Sequence, residues 1–558
     1  MYKKIKIIGE NIKIGHVILI WLVVNLVSAE FTLLYSDEAY YTLFARHLAF
    51  GYFDHPPMIA LLIRIGTILL NDEIGVRIIT VFAISAALYL IYKLADVKNP
   101  LIFLAVIFSI FGLNLLGFLA LPDTPLLLFS VLFFTVYKRF LLHESTKNAV
   151  LLALVMAALL YSKYHGILVI SFTLLSNLKL LKSGKFWMAA SIGIVLFMPH
   201  LLWQFAHDFV TVSFHIIERS SPRYHFSFTY EYLIGQILYY GPFTAIFMII
   251  AVLRIKHNGL FDRALLWNFW GFIGFFLLSS FKGRVEVNWT LPVIVPSLIF
   301  FLRYTLLKPV FTKWFYWFAL PVILGILLLR LEFSFSVFNL KIGRMSDLRG
   351  HDEFSREVMA RSNGLPLITN TYQRAALISF YSDVFTPSLN INGRRNQFDL
   401  WHAADSLRFH RVAFVTNYLE EGLKIQNPYY NDYKITIIDS LPVMDGINIR
   451  ARQGRFSVKS GESFDVDIAL STKQASENYR DAGIFQTRLC AQLVKDDRLI
   501  DEQICAIPIN HLFKDNNGVH NFKFIAPGEK GKYNILFSLK TTGLGTWSSV
   551  EILRFSVR

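Results

Sequence analysis

Long apolar runs broken by short polar stretches recur through the first 331 residues and then stop. About 20 apolar residues suffice for a helix to cross a bilayer. On that basis spans are expected near 15–34, 76–94, 100–119, 125–142, 148–162, 165–181, 187–205, 232–253, 264–281, 289–306 and 314–331. The fifth and sixth are short and nearly continuous. After residue 331 the pattern changes. LPLIT (365–369), VAFVT (412–416) and ITIID (435–439) are strand candidates and RAALISFYS is helical in character, which predicts a small α/β module over 332–447. From residue 448, period-two stretches such as FDVDIAL and YNILFSL predict a β-sandwich over 448–558. The expected architecture is a polytopic α-helical membrane domain over 1–331, with about eleven spans, followed by these two domains.

Composition supports this division. The 558 residues are 54% hydrophobic and 15% aromatic, with 51 Phe, and the mean hydropathy is +0.45. The net charge of +15 raises a nucleic-acid reading. The cations argue against it, because they lie in short clusters between apolar runs. Lys3, Lys4, Lys6 and Lys13; Lys93 and Lys98; Lys138, Arg139 and Lys147; Lys179, Lys182 and Lys185; Arg254, Lys256 and Arg263; and Arg303, Lys308 and Lys313 occupy alternate loops or their edges. That bias places the N-terminus in the cytoplasm. With an odd number of spans, everything after Leu331 lies on the outer side. The first apolar run, which has no small-residue cleavage site after it, reads as a retained signal anchor. Cys490 and Cys505 are the only cysteines, which excludes a metal centre built on cysteine clusters. They flank a predicted hairpin turn at Lys495–Arg498, and an outer location permits a disulfide between them.

The other set of loops is poorer in cations and richer in chemistry. Tyr35–Ala60 holds Asp37, Glu38, Arg46, Asp54, His55 and the pair Pro56–Pro57. Ionisable clusters beside a membrane are costly and mark functional sites. The plainer account is a short helix capped by Ser36 and stopped by Gly51, with both acids in its first turn. Phe44, Leu48 and Phe50 would then lay its apolar side on the membrane surface. This account leaves Asp54, His55 and the double proline unexplained. LPDTP (121–125) places Asp123 between prolines, where a turn aspartate can cap the next helix. SKYHG (162–166) places Lys163 between two apolar runs, where a lysine can also snorkel to water. His215 and Arg219 are spaced for one helical face, with Arg223 beyond them. Lys282 and Arg284 precede Asn288–Trp289.

Taken together, SDEAYY, YFDHPPMIALLIRIG, LPDTPLLLF, LLYSKYHGIL and VNWTLP resemble the GT-C superfamily of lipid-phosphosugar-dependent glycosyltransferases, in its protein O-mannosyltransferase and aminoarabinose transferase branch. They fall in the family's order across most of residues 30–300. NGRRNQFDLW (392–401) is similar to a stretch in bacterial members. The resemblance implies transfer of a sugar, with inversion, from a polyprenyl-phosphate donor to a hydroxyl of a lipid, glycan or protein on the outer face of the inner membrane. It implies Asp37 as general base, Glu38 as its support and Asp123 as a third site acid. It implies Lys163 and His55 at the donor phosphate. By their charge and place in the same set of loops, His215 and Arg219 are candidates to clamp that phosphate or to touch lipid headgroups, and Lys282 and Arg284 are further candidates for it. No cofactor is required. Some relatives bind a divalent cation and others do not, so no metal ligands are assigned. The expected partners are the lipid donor, the acceptor and membrane lipids, with no nucleic acid. A transporter or flippase of lipid-linked sugars is the competing class. Its binding groups would sit at mid-membrane on interrupted helices, whereas these residues gather in loops on one side. An envelope scaffold would need one span, not eleven.

Overall fold

The structure is a computed structural model and describes residues 12–215, 224–338, 340, 348–389, 391–392, 394–430, 432–444, 446–472, 479, 485–495, 498–515 and 519–558. Two compact units divide it, Met1–Arg349 and Gly350–Arg558.

The first unit is helical. Six helices are long and apolar enough to cross a membrane: Ile14–Phe31, Asp72–Ala95, Asp123–Leu142, Gly184–Ala206, Val287–Leu307 and Pro309–Phe335. Phe226–Tyr239 and Pro242–Arg254 together make a seventh candidate, bent by 92° at their junction. All eleven expected runs lie on helices, but several are shorter or more broken than their hydropathy suggests. Run 232–253 breaks because Gly241 has φ +86° and Pro242 opens the next helix. A Cβ on Gly241 would meet the Ser109 carbonyl at 2.4 Å, so both the conformation and the space require glycine. Run 100–119 divides into Pro100–Ser109 and Phe111–Leu116. The short fifth and sixth runs are two helices, Thr146–Ser162 and Gly166–Ser176, and SKYHG is the turn between them.

One extended hydrophobic core joins these helices, from Val17 and Trp21 of the first to Phe315 and Ala319 of the last. A polar contact fastens the first helix to the last. Arg330, 6% exposed, donates to Asn25 Oδ1 (2.9 Å), Ser28 Oγ (2.9 Å) and the Asn114 carbonyl (2.9 Å). Glu332 then accepts from the Leu340 amide (2.6 Å) and from Arg349 Nη2 (2.6 Å). These bonds draw the chain beyond the helix back onto its end, so the first unit runs on to Arg349.

The second unit contains the expected α/β and β parts. Strands Leu367–Thr369, Val412–Thr416, Lys434–Ile438 and Leu423–Lys424 form one sheet in that spatial order, with the helix Tyr372–Tyr381 after the first strand. Beyond it lie a three-stranded sheet, with Ser463–Thr472 between Val519–Ile525 and Ile447–Ala451, and a five-stranded sheet that includes Thr487–Lys495, Arg498–Ile504, Gly531–Thr541 and Gly545–Val557. Their inner faces meet through Phe464 against Phe555 (5.1 Å between ring centroids) and Phe522 against Phe537 (5.6 Å). Ile368 and Phe414 of the α/β sheet belong to the same core cluster.

The expected disulfide is corrected: both cysteines are free and buried. The hairpin closes on Lys495 opposite Arg498, and an irregularity between Leu493 and Val494 shifts the register, so Cys490 faces Ile504. The Cys505 amide instead bonds the Leu489 carbonyl (2.8 Å). Because side chains alternate along a strand, that one-residue offset sends the two thiols to opposite faces. Burial and the Glu502 carboxylate push the Cys490 thiol up to about 12. Alkylation without reductant is expected to modify neither thiol quickly in the folded protein and both in denaturant. Mass spectrometry checks this, and a denatured chain resisting alkylation would restore the disulfide.

Candidate active site

Asp37 and Glu38 lie in the first turn of the helix Ser36–Arg46, whose N-cap is Tyr35 rather than Ser36. Glu38 Oε2 accepts the Tyr35 amide at 3.0 Å, closing the helix start. The helix packs into the protein: nine of its 11 residues are buried, and Phe44 faces the interior completely. The exposed large apolar residues are Leu48 (53% exposed) and Phe50 (58%), which follow it. The helix ends at Arg46, so Gly51 is not its stop. Gly51 is where Trp203 lies on the backbone, since a Cβ there would meet the indole at 2.4 Å.

Glu38 is fully buried and paired with Arg77, a residue that sequence reasoning missed. Arg77 Nε reaches Oε1 at 2.8 Å and Nη2 reaches Oε2 at 2.6 Å. Oε1 also accepts the Ala120 amide at 2.7 Å, three residues before Asp123. Asp37, beside this pair, is half-buried.

Asp123 opens the helix Asp123–Leu142 and is 2% exposed. Lys163 Nζ donates to both its oxygens, at 2.9 and 3.0 Å, and Asn288 Nδ2 donates to Oδ2 at 2.9 Å. LPDTP, SKYHG and VNWTLP thus converge on one carboxylate. Lys163 is 5% exposed, which removes the account of a lysine snorkelling to water. Next to it, the His165 ring lies 5.2 Å from that of Trp289.

A second polar chain holds the loop that carries Asp54 and His55. His200 Nδ1 is 2.6 Å from the Phe50 carbonyl, which assigns the proton to Nδ1. Nε2 therefore accepts the Tyr164 hydroxyl at 2.8 Å. That hydroxyl accepts Gln204 Nε2 (2.8 Å), which also donates to Thr211 Oγ1 (2.6 Å). Thr211 in turn donates to the Tyr52 carbonyl at 2.9 Å. The Tyr52 hydroxyl donates to the Phe44 carbonyl at 2.9 Å, and burial pushes it up to about 12, so it stays a neutral donor. Tyr164 lay within a motif already singled out. His200, Gln204 and Thr211 gave no signal in the sequence, because they sit singly in or beside an apolar helix.

His55 lies edge-on to Tyr41, with ring centroids 5.5 Å apart, and its ring is 6.3 Å from that of His215. His215 Nε2 donates to the Asp54 carbonyl at 2.9 Å, so the sequence-distant His215 does reach this loop. Lys282 is exposed, and the exposed Arg284 meets Glu231 at 3.8 Å on the surface. Arg219 and Arg223 lie outside the described residues. Among the described residues no three His, Cys, Asp or Glu side chains are grouped to hold a metal ion. Two of the acids, Glu38 and Asp123, are instead neutralised by Arg77 and Lys163.

Residues 54–203 match the family model of dolichyl-phosphate-mannose-protein mannosyltransferase. The match includes His55, Asp123 and Lys163, and starts after Asp37. No curated protein matches the chain in sequence. Among solved structures, ArnT from Cupriavidus metallidurans in the apo state is similar at 14% identity and a TM-score of 0.53, over 76% of this chain and 97% of that one. ArnT from the same organism bound to undecaprenyl phosphate is similar at 13% identity and a TM-score of 0.48, over 72% and 92%. The likeness to the apo structure is one of fold. With the family model, it bears out the expected GT-C-like architecture of a multi-pass membrane protein.

Proposed function

We propose that the chain is an inner-membrane glycosyltransferase that moves a sugar from a polyprenyl-phosphate carrier to a hydroxyl acceptor on the outer face. The observation that carries this reading is the convergence of the separate motifs on one cluster of buried, charge-paired acids. The family model supports the donor class, since dolichyl phosphate is a polyprenyl phosphate. Asp37 takes the proton from the acceptor hydroxyl as its oxygen attacks the anomeric carbon. One base and a direct displacement invert that carbon, with the acceptor in the place of an inverting hydrolase's water. The bond to the phosphate oxygen breaks, and polyprenyl phosphate leaves. Lys163 stabilises its charge: an ammonium carries three N–H donors, and the Asp123 contacts occupy at most two of them. His55 and His215 line the same loop and contact the donor beyond Lys163. No cofactor takes part, and the C-terminal unit acts on the outer side.

The test is mass spectrometry of envelope lipids and glycoproteins from cells with and without the active protein, paired with purified protein given polyprenyl-phosphate sugars. An acceptor gaining one sugar residue, with release of polyprenyl phosphate, is the expected result. Movement of intact lipid-linked sugar across a vesicle membrane without that release would establish the transporter instead.

A further inference from the structure

We propose that Arg77 is a positioning residue for the catalytic carboxylate, gripping Glu38 so that the helix start bearing Asp37 is braced against the backbone that leads into Asp123. The proposal rests on the glycosyltransferase reading of that site. It gives the supporting role of Glu38 a physical form: the carboxylate acts through its neighbours.

Each polar atom of the pair is accounted for. The guanidinium has five N–H donors. Nε and Nη2 hold the two oxygens of Glu38, at 2.8 and 2.6 Å. Nη1 donates to the carbonyls of Ala29 (3.0 Å) and Thr32 (2.6 Å), and Nη2 also donates to Leu33 (3.0 Å). Those carbonyls lie at or just past the end of Ile14–Phe31, where helical carbonyls lack partners and a cation is favoured. Glu38 is equally saturated. Oε1 accepts Arg77 Nε and the Ala120 amide, and Oε2 accepts Arg77 Nη2 and the Tyr35 amide. A carboxylate offers about four lone-pair sites, so none remains for an acceptor hydroxyl.

Four segments therefore meet in one contact: the end of the first helix, the start of the Asp37 helix, the Asp72–Ala95 helix and the turn at Ala120. Both side chains are fully buried, so water cannot replace a lost bond. A planar fork is needed, because a lysine ammonium cannot hold two carboxylate oxygens and three carbonyls at once.

The test uses the full-length protein with Arg77→Lys and Glu38→Gln. Three readouts apply: amide hydrogen exchange over residues 36–41 and 117–122, binding of polyprenyl phosphate, and kcat against pH. A misplacement of about 1 Å costs on the order of 100-fold in rate. Both variants are expected to lose about that much kcat while binding polyprenyl phosphate as the parent does. Exchange at Ala120 is expected to rise in each. In Glu38→Gln, the acid limb of the profile is expected to move to lower pH, because the Arg77 charge is no longer neutralised beside Asp37. Unchanged exchange at Ala120 overturns the bracing role whatever happens to activity. Lost turnover with unchanged exchange and an unmoved acid limb would overturn the proposal and make Glu38 a substrate contact. If the parent protein transfers no sugar, the glycosyltransferase reading fails, and the exchange measurement still decides whether Arg77 braces the Asp37 helix.

Discussion

Asp37→Asn is expected to abolish sugar transfer and leave donor binding intact. The carboxamide is nearly isosteric and cannot take a proton from the acceptor hydroxyl. A positioned general base contributes about 10²–10⁴-fold, so kcat should fall by at least about 100-fold. The cost to folding is small by comparison. Asp37 is half-buried in the first turn of its helix, where losing a negative charge costs about 0.3–1 kcal/mol. Its neighbour Glu38 keeps the helix start closed through the Tyr35 amide and Arg77. Binding of polyprenyl phosphate and the thermal midpoint in detergent should thus stay near the parent values while transfer disappears. A variant that still transfers at the parent rate would remove Asp37 as the base.

The acid at position 37 was legible because a loop between spans has no need of it. The partner of its neighbour Glu38 was not. Arg77 lies 39 residues from Glu38 and reads as one cation near the start of an apolar helix that opens with Asp72 and Glu73. No periodicity marks it, since its role comes from the carbonyls of a different helix. Asp123 and Lys163 were both singled out, but as an acid and a phosphate ligand in separate loops. That they form a pair 40 residues apart, with Asn288 as third member, is a property of helix packing. Hydropathy placed the apolar runs and failed at their breaks, because a bend at Gly241 and Pro242 leaves the run apolar throughout. The cysteines failed for a related reason. The cysteines are symmetric about Asp497–Arg498, whereas the hairpin closes on Lys495 opposite Arg498; that offset and one irregularity in the ladder together leave Cys490 opposite Ile504. Lys282 and Arg284 show the opposite limit, in which two cations beside a motif are both exposed at the surface.

Lys163 and Asp123 call for a pair of experiments, because either side chain removed alone leaves the other charged and buried. Lys163→Ala is expected to destabilise the membrane unit by about 3–5 kcal/mol, the usual cost of an orphaned buried charge. Its loss of transfer would therefore prove little. The double variant Lys163→Met/Asp123→Asn separates the roles. Methionine fills the volume of the lysine stem without charge, and asparagine keeps an oxygen for Asn288, which now donates at 2.9 Å. Exchanging a buried ion pair for neutral groups of similar size is often neutral or stabilising. The thermal midpoint of the double variant should thus recover most of what Lys163→Ala loses. Transfer should not recover, because no ammonium remains to meet the charge developing on the departing phosphate. The affinity for polyprenyl phosphate should fall with it, in contrast to Asp37→Asn, which keeps that affinity. Stability and transfer returning together would make the pair a structural clamp, and the phosphate would then have to be met by His55 and His215.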